Sequence, residues 1–482
     1  MSSSKKFRSG VSLITALAVL LASLPTNAQE QRNDVSFLRG PYNNALFNRH
    51  NRSFRVSAAL HFSHAKQHDV LLLTKFAEHE KADADFEKEC VEFVEKLKAR
   101  TEPSMEYYAP YTARAFYRIF RTIDWTHIHH EQTYDIMSTK RIPWNEKKRW
   151  TDRAVRYYLE KSKDVAFSPA PLDVMMRRAA VMMKPYFTLF RNYYPKSNNF
   201  FYGAHWWHPA IYETQMIGGN QGQDETIKQT DETFYSQVLN DRPQRMLLLR
   251  EVAPRYSRLS PESANIFDNL HMFHGIVYDI LAYEGWTLDQ KRAELYRVIE
   301  AMRYHPGDEH LARKFRTPHP EMDPRVYENW MKGTEGEMSR IMMEMMMEMM
   351  PMMMPDSMQM SDEMKQMMMT GDMQNMQKML EMMSPEMRHV REMMMEQFKM
   401  KMMPGLQQGE LPGSLHDAMM KVMPNMKMMP EAMEPGKSSQ MMVDMMLKGW
   451  RDKYGNMPDI ELMPMDAEPT APPPLRSATN MR

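Results

Sequence analysis

The chain has 482 residues and carries 62 basic and 62 acidic side chains, so its formal net charge is zero. That balance gives no indication of binding to nucleic acid or to an anionic membrane surface. Cys90 is the single cysteine, which excludes an internal disulfide and haem attached covalently through a C-x-x-C-H motif. The length is enough for two or three domains.

Residues 1–28 are predicted to be a secretory signal peptide. A basic start at residues 5–8 precedes an apolar run over residues 11–24, and Thr26 and Ala28 are small residues at the −3 and −1 places of a cleavage site. The run is too short for a membrane span, and no later stretch is apolar enough to cross a bilayer. We therefore expect a secreted or periplasmic protein with no membrane span after signal removal.

Residues 40–330 predict an all-α body. After Asp83 the apolar side chains recur at helical spacing, while runs that alternate as strands do are rare. Gly218-Gly219-Asn220 and residues 240–243 are typical of breaks between helices. Asn145 and Asp289, each followed by charged helix formers, are expected to be N-caps. The predicted stripe after Asp83 consists of Phe86, Cys90, Phe93, Val94 and Leu97.

The most informative feature of this region is a motif, H-x-x-H-x-x-x-[HY]-[DE], that occurs four times. About 0.1 chance matches to its histidine and acid positions are expected at this composition. Paired histidines on one helix are what a metal or haem site needs. We therefore predict a metal site built from His61, His64, His68 and Asp69; His127, His130 and Asp135; His205, His208 and Glu213; and His271, His274 and Asp279.

The four copies are evenly laid out, which indicates an internal duplication. An offset of 144 residues separates His61 from His205 and His127 from His271, and it also aligns Tyr134-Asp135-Ile136 with Tyr278-Asp279-Ile280. The predicted units are residues 29–185 and 186–330. Each would be a helical-bundle half with about four helices, its two motif helices facing one another.

Helix geometry assigns the motif positions to faces. Two histidines three residues apart lie about 60° apart around the axis, so they can chelate one ion or reach two centres. The [HY] position, occupied by His68, Tyr134, Tyr212 and Tyr278, lies within about 20° of the first histidine and could add a ligand or a supporting hydroxyl. The acidic position lies about 80° away, so we expect it to reach a neighbouring helix.

The third copy is predicted to differ from the others. Pro209 directly follows His208, and proline disfavours helical geometry at the preceding residue. We expect His205 and His208 to lie at or just before a helix start, where this pair could be structural.

Composition changes abruptly at Met331. Of the 57 methionines, 45 fall within residues 331–482, together with only three aromatic residues. Such a low-complexity segment predicts a largely flexible tail that builds no rigid core. It could serve as an adaptable docking surface for a protein partner, or its thioethers could bind soft Cu(I) or Ag(I).

Three functions remain open from the sequence. Export, imidazole pairs, dense methionine and a near absence of cysteine favour copper sequestration, tolerance or delivery, with metal ions as the partners. The second is a redox enzyme with a di-metal centre of iron or copper, or with haem b, on the paired helices. In the third, the histidines form a structural hydrogen-bonded network and the tail docks partners.

Overall fold

The computed structural model describes residues 38–102, 104–161, 164–179, 189–312 and 322–334, together with Met338 and Ile341. These residues are mostly helical and contain no β-strand, only one isolated antiparallel bridge between Phe167 and Arg303. The all-α prediction is therefore confirmed. None of the described helices is long and apolar enough to cross a membrane. The predicted signal peptide and nearly all of the Met-rich tail lie outside the described residues.

Two series of helices follow one another along the chain. The first consists of α1 Ala45–Arg49, α2 Asn51–Leu73, α3 His79–Glu95, α4 Met105–Tyr108, α5 Pro110–Ala115, α6 Tyr117–Ser138 and α7 Lys147–Lys161, with α8 Leu172–Ala179 after it. The second consists of α9 Leu189–Tyr193, α10 Pro195–Thr233, α11 Leu249–Val252, α12 Pro254–Leu259, α13 Pro261–Ala282 and α14 Leu288–Met302, with α15 Tyr327–Gly333 after it.

Helix bounds in the second series repeat those of the first at the offset of 144 residues. Helices α1, α4, α5 and α6 begin and end 144 residues before α9, α11, α12 and α13. Helix α10 spans the counterparts of α2 and most of α3. It is broken at Gly219, whose φ of 56° lies in the left-handed region that favours glycine. The predicted break at residues 218–220 is thus confirmed.

The four motif-bearing helices, α2, α6, α10 and α13, form one bundle. Their extensive packing is between the two series: α2 and α6 each pack against both α10 and α13. This arrangement differs from the expectation that the motif helices of each half face one another in a bundle of their own. Most residues along α6 and α13 are buried on every side, so one partner helix from the same half could not cover them.

Three local expectations are wrong. Asn145 is not an N-cap, because it lies within the 3-10 helix Trp144–Glu146, whose N-cap is Pro143. Helix α10 begins at Pro195 and continues through Pro209, so His205 and His208 lie well inside it. The ring of a proline at position 209 removes one helical hydrogen bond, and the surrounding bundle holds the helix together there. The N-cap of α14 is Thr287 rather than Asp289: its hydroxyl accepts from the Gln290 N–H in a capping box, and Asp289 lies in the first turn.

Candidate metal centre

All eight paired histidines and His68 converge in the interior of the bundle. Each of these nine side chains is almost completely buried, with 4% or less of its surface exposed. Three come from α2 and two each from α6, α10 and α13. The four predicted histidine pairs therefore meet in one interior rather than in a separate bundle of each half.

The rings lie in contact with one another. The ring centroids of His61 and His127 are 4.1 Å apart, and those of His205 and His271 are 3.6 Å apart. Longer contacts connect these pairs into one continuous cluster, since His64 lies 5.5 Å from His205, 6.0 Å from His208 and 5.5 Å from His274. Imidazoles from both halves of the chain therefore share one interior.

The cluster has an approximate twofold repetition. The stacked pair His61–His127 is matched by His205–His271, and the His64–His274 contact at 5.5 Å is matched by His208–His130 at 5.3 Å. In both matches each residue is replaced by the one that stands 144 positions away. The second histidine pair of each half therefore stacks and packs against the other histidines in the same way as its counterpart.

Several of these imidazoles have a free ring nitrogen directed away from their hydrogen-bonding partner. His64 donates its Nδ1–H to the backbone carbonyl of Leu60 at 2.5 Å, and His130 Nδ1 is hydrogen-bonded to the Tyr212 hydroxyl at 2.6 Å. Within the described part of the chain, the buried Nε2 atoms of both histidines have no hydrogen-bond partner. Histidine ligands of metals characteristically bind through one nitrogen while the other is held in this way.

Other histidines of the cluster make even fewer hydrogen bonds through their ring nitrogens. Among the described residues, neither ring nitrogen of His68, His208 or His274 has a hydrogen-bond partner. A buried polar atom left unpaired costs about 1–3 kcal/mol. So many unpaired nitrogens in one place are unusual for a purely structural network.

Burial keeps the rings neutral, which is the form that binds a metal. Burial lowers the pKa of His127, His208 and His274 well below the ordinary value of 6.5, and the neighbouring histidines lower it further. Burial also lowers the pKa of His68 to about 3.

The four motif carboxylates contact backbone N–H groups on other helices. Each accepts hydrogen bonds at the first turn of a short helix, where the backbone donors lack partners within the helix. They thus reach a neighbouring element, as expected, where they accept from backbone N–H groups, and Glu213 also pairs with the Arg255 guanidinium at 2.7 Å. Asp69 accepts from Tyr111 and Thr112 of α5, Glu213 from Arg255 and Tyr256 of α12, Asp135 from Asn44 and from Leu46 of α1, and Asp279 from Phe190 of α9.

The tyrosines of the motif form hydrogen bonds to the backbone of other motif-bearing helices. The hydroxyls of Tyr134, Tyr212 and Tyr278 donate to the backbone carbonyls of His208, His130 and His64, respectively. His68 occupies the fourth such position, and its ring lies 5.5 Å from that of His274. A histidine in place of this tyrosine adds a ninth imidazole to one side of the cluster.

Two groups of three side chains could hold a metal ion among the described residues. One is His61, His130 and His208; the other is His61, Glu102 and His127. In each group the potential ligand atoms all lie within 4.8 Å of one another. The four motif carboxylates belong to neither group.

Sequence reasoning missed Glu102. Its buried carboxylate contacts His61 Nδ1, although it precedes α4 in a connecting segment. The residue 144 positions later is Met246, whose sulfur lies 2.8 Å from His205 Nδ1. The repeat offset was the available signal, because it aligns these two residues as it aligns His61 with His205.

Comparisons with protein-family models, with curated proteins and with solved structures give no match. The function is therefore inferred from the geometry of the cluster.

Proposed function

We propose that this is an exported metal-binding protein that holds copper in the buried histidine cluster, for sequestration, tolerance or delivery. The observation that carries the proposal is the group of nine buried imidazoles, several with ring nitrogens that lack a partner among the described residues. Imidazole suits copper, zinc, iron and nickel. Copper is favoured because the same chain carries 45 methionines within residues 331–482, and thioethers select Cu(I).

The purely structural reading is less well supported. A structural histidine network would use the ring nitrogens in hydrogen bonds, as the carboxylates of the same motif are used. Within the described chain, both nitrogens of His208 and of His274 lack such partners. Haem b is also less well supported, because the described rings are already in direct contact, and a porphyrin would have to separate them.

Gene duplication accounts for the arrangement. We infer that residues 29–185 and 186–330 are related copies, supported by the helix bounds that recur at 144 residues and by the matched ring contacts. In this proposal a single helical unit with two histidine pairs was duplicated, and the two copies close around a shared centre.

Copper binding is tested on the full chain by electron paramagnetic resonance of the Cu(II)-loaded protein. His61 belongs to both candidate groups, so His61→Gln should weaken Cu(II) binding at least about tenfold and reduce the nitrogen hyperfine splitting. The matched control is His310→Gln, which changes an exposed histidine. Equal affinities and spectra for the two variants would contradict the proposal.

The tail is tested by deletion. Ile341 is buried and packs in the apolar core, so the truncation should remove residues 345–482 and leave that residue in place. The expected result is loss of most of the Cu(I) capacity, with Cu(II) bound by the histidine cluster retained. Full retention of Cu(I) would eliminate the tail as a thioether reservoir.

A redox enzyme is the second candidate, favoured by one observation. The Tyr212 hydroxyl lies 2.6 Å from His130 Nδ1, and His130 belongs to a candidate metal group. A phenol at that place could support an iron or copper pair that handles oxygen. Optical spectra of the reduced, metal-loaded protein before and after exposure to oxygen distinguish the candidates, because simple storage predicts no new oxygen-dependent absorption band.

A further inference from the structure

The two halves of the histidine cluster are chemically unequal at one pair of equivalent positions. Glu102 contacts Nδ1 of His61, and Met246 contacts Nδ1 of His205. Both side chains belong to segments that end three residues later at a short helix, α4 or α11. The same place in the fold is therefore filled by a carboxylate in one half and by a thioether in the other.

We propose, building on the metal-binding function above, that this difference makes two distinct half-sites. The first, His61, His127 and Glu102, takes a divalent ion such as Cu(II) or Zn(II). The second, His205, His271 and Met246, takes a soft monovalent ion, Cu(I) or its analogue Ag(I). The protein thus separates copper by oxidation state.

Charge is the first argument for this assignment. The side chains of both half-sites are buried, and a buried charge needs a compensating charge nearby. The carboxylate of Glu102 supplies one negative charge beside His61, which lowers the cost of holding a doubly charged ion. Met246 is neutral, so the half-site beside His205 suits an ion that carries a single charge.

Ligand softness is the second argument. Two imidazoles and a carboxylate form the donor set of many zinc sites in enzymes. A thioether, in contrast, is a soft donor that favours Cu(I), and unlike a carboxylate it needs no deprotonation. His205 Nδ1 and the Met246 sulfur lie 2.8 Å apart, so one soft ion can bind to both atoms.

The test is ¹⁵N NMR of the full chain labelled at histidine, with Zn²⁺ and Ag⁺ as diamagnetic probes. Only His389 and His416 of the 17 histidines lie within residues 331–482, so the ring resonances report on the helical body even when the tail binds silver. We expect Ag⁺ to shift the nitrogens of His205 and His271, and Zn²⁺ those of His61 and His127.

Two isosteric variants separate the half-sites. Met246→Leu should weaken Ag⁺ binding at His205 at least about tenfold and leave Zn²⁺ binding unchanged, whereas Glu102→Gln should do the reverse. Met175→Leu is the control, because Met175 is a buried methionine of the same apolar core on α8. Should Met246→Leu fail to fold, Glu102→Met provides the second measurement, and it should create Ag⁺ binding at His61.

The outcomes are distinct. Equal Ag⁺ affinities for Met246→Leu and Met175→Leu, or shifts of one common set of histidines by both ions, would overturn the half-site assignment while leaving the metal-binding proposal intact. If neither ion shifts any ring resonance of the cluster, the metal-binding proposal fails together with this inference.

Discussion

The phenol of Tyr134 donates a hydrogen bond to the backbone carbonyl of His208 at 2.6 Å. Tyr278 makes the equivalent bond to the carbonyl of His64 at 3.1 Å, so the contact recurs at the twofold-related place. These bonds connect α6 to α10 and α13 to α2. The residues that follow the histidines along one motif helix therefore position the histidines of another.

Replacing Tyr134 by phenylalanine should lower the free energy of unfolding by about 1 kcal/mol, because one buried hydrogen bond is lost while ring packing is kept. The measurement is chemical denaturation of the metal-free full chain. Tyr107→Phe changes a tyrosine that is 64% exposed and serves as the control. Indistinguishable denaturation midpoints for the two variants would show that the bond to His208 contributes nothing.

His68→Tyr should restore the tyrosine found in the other three motif copies. We expect the metal-free protein to melt at a higher temperature, because a phenol at this place can donate to the carbonyl of His274 and removes two buried nitrogens that lack partners in the described chain. Metal affinity should fall if His68 is a ligand. Calorimetry measures the melting temperature and a copper titration measures the affinity. A lower melting temperature would contradict the role assigned to the [HY] position, which is to donate a hydrogen bond to a histidine carbonyl on a neighbouring motif helix.

Asp69→Ala should destabilise the fold by about 1–2 kcal/mol, the usual effect of removing an N-capping side chain, because the N–H groups of Tyr111 and Thr112 lose their acceptor. The number of metal ions bound should stay the same. Elemental analysis of the loaded variant, compared with His61→Gln, separates the two roles, because His61 belongs to both candidate metal groups. A loss of metal as large as that caused by His61→Gln would make Asp69 a ligand.

The pH dependence of stability should carry a contribution from Asp231. Burial raises the pKa of this carboxyl to about 6, against the hydrogen bonds from Ser53 and Trp207 that lower it. The unfolded chain therefore releases the proton at lower pH than the folded protein does. Stability contributed by this group should fall by roughly 3 kcal/mol as the pH rises from about 4 to about 6, and change little above that.

Asp231→Asn isolates that contribution. Across the same pH window the variant should gain stability relative to the unchanged protein, as measured by urea denaturation at a series of pH values. Asp289→Asn, at a side chain that is 88% exposed, is the control. Stability curves for Asp231→Asn and the unchanged protein that run parallel between pH 4 and pH 6 would rule out the raised pKa.

Local spacing was enough to predict the helical class and the faces on which the histidines lie. The interval between His61 and His64 places both rings on one side of a helix, and this holds in any fold that keeps the helix. The offset that relates His61 to His205 also predicted which residues occupy equivalent places. The break at Gly219 followed from the backbone freedom of glycine alone.

Which helices became neighbours was decided only by tertiary packing. The periodicity of α2 does not indicate whether α6 or α10 covers it, because both offer a similar buried surface. The sequence also predicted Asp69 as a possible metal ligand, because spacing alone does not show which element its carboxylate contacts. In the fold that carboxylate accepts hydrogen bonds at the first turn of α5. Glu102 and Met246 lie in connecting segments without periodicity, so only the folding of distant parts of the chain brings them against the imidazoles.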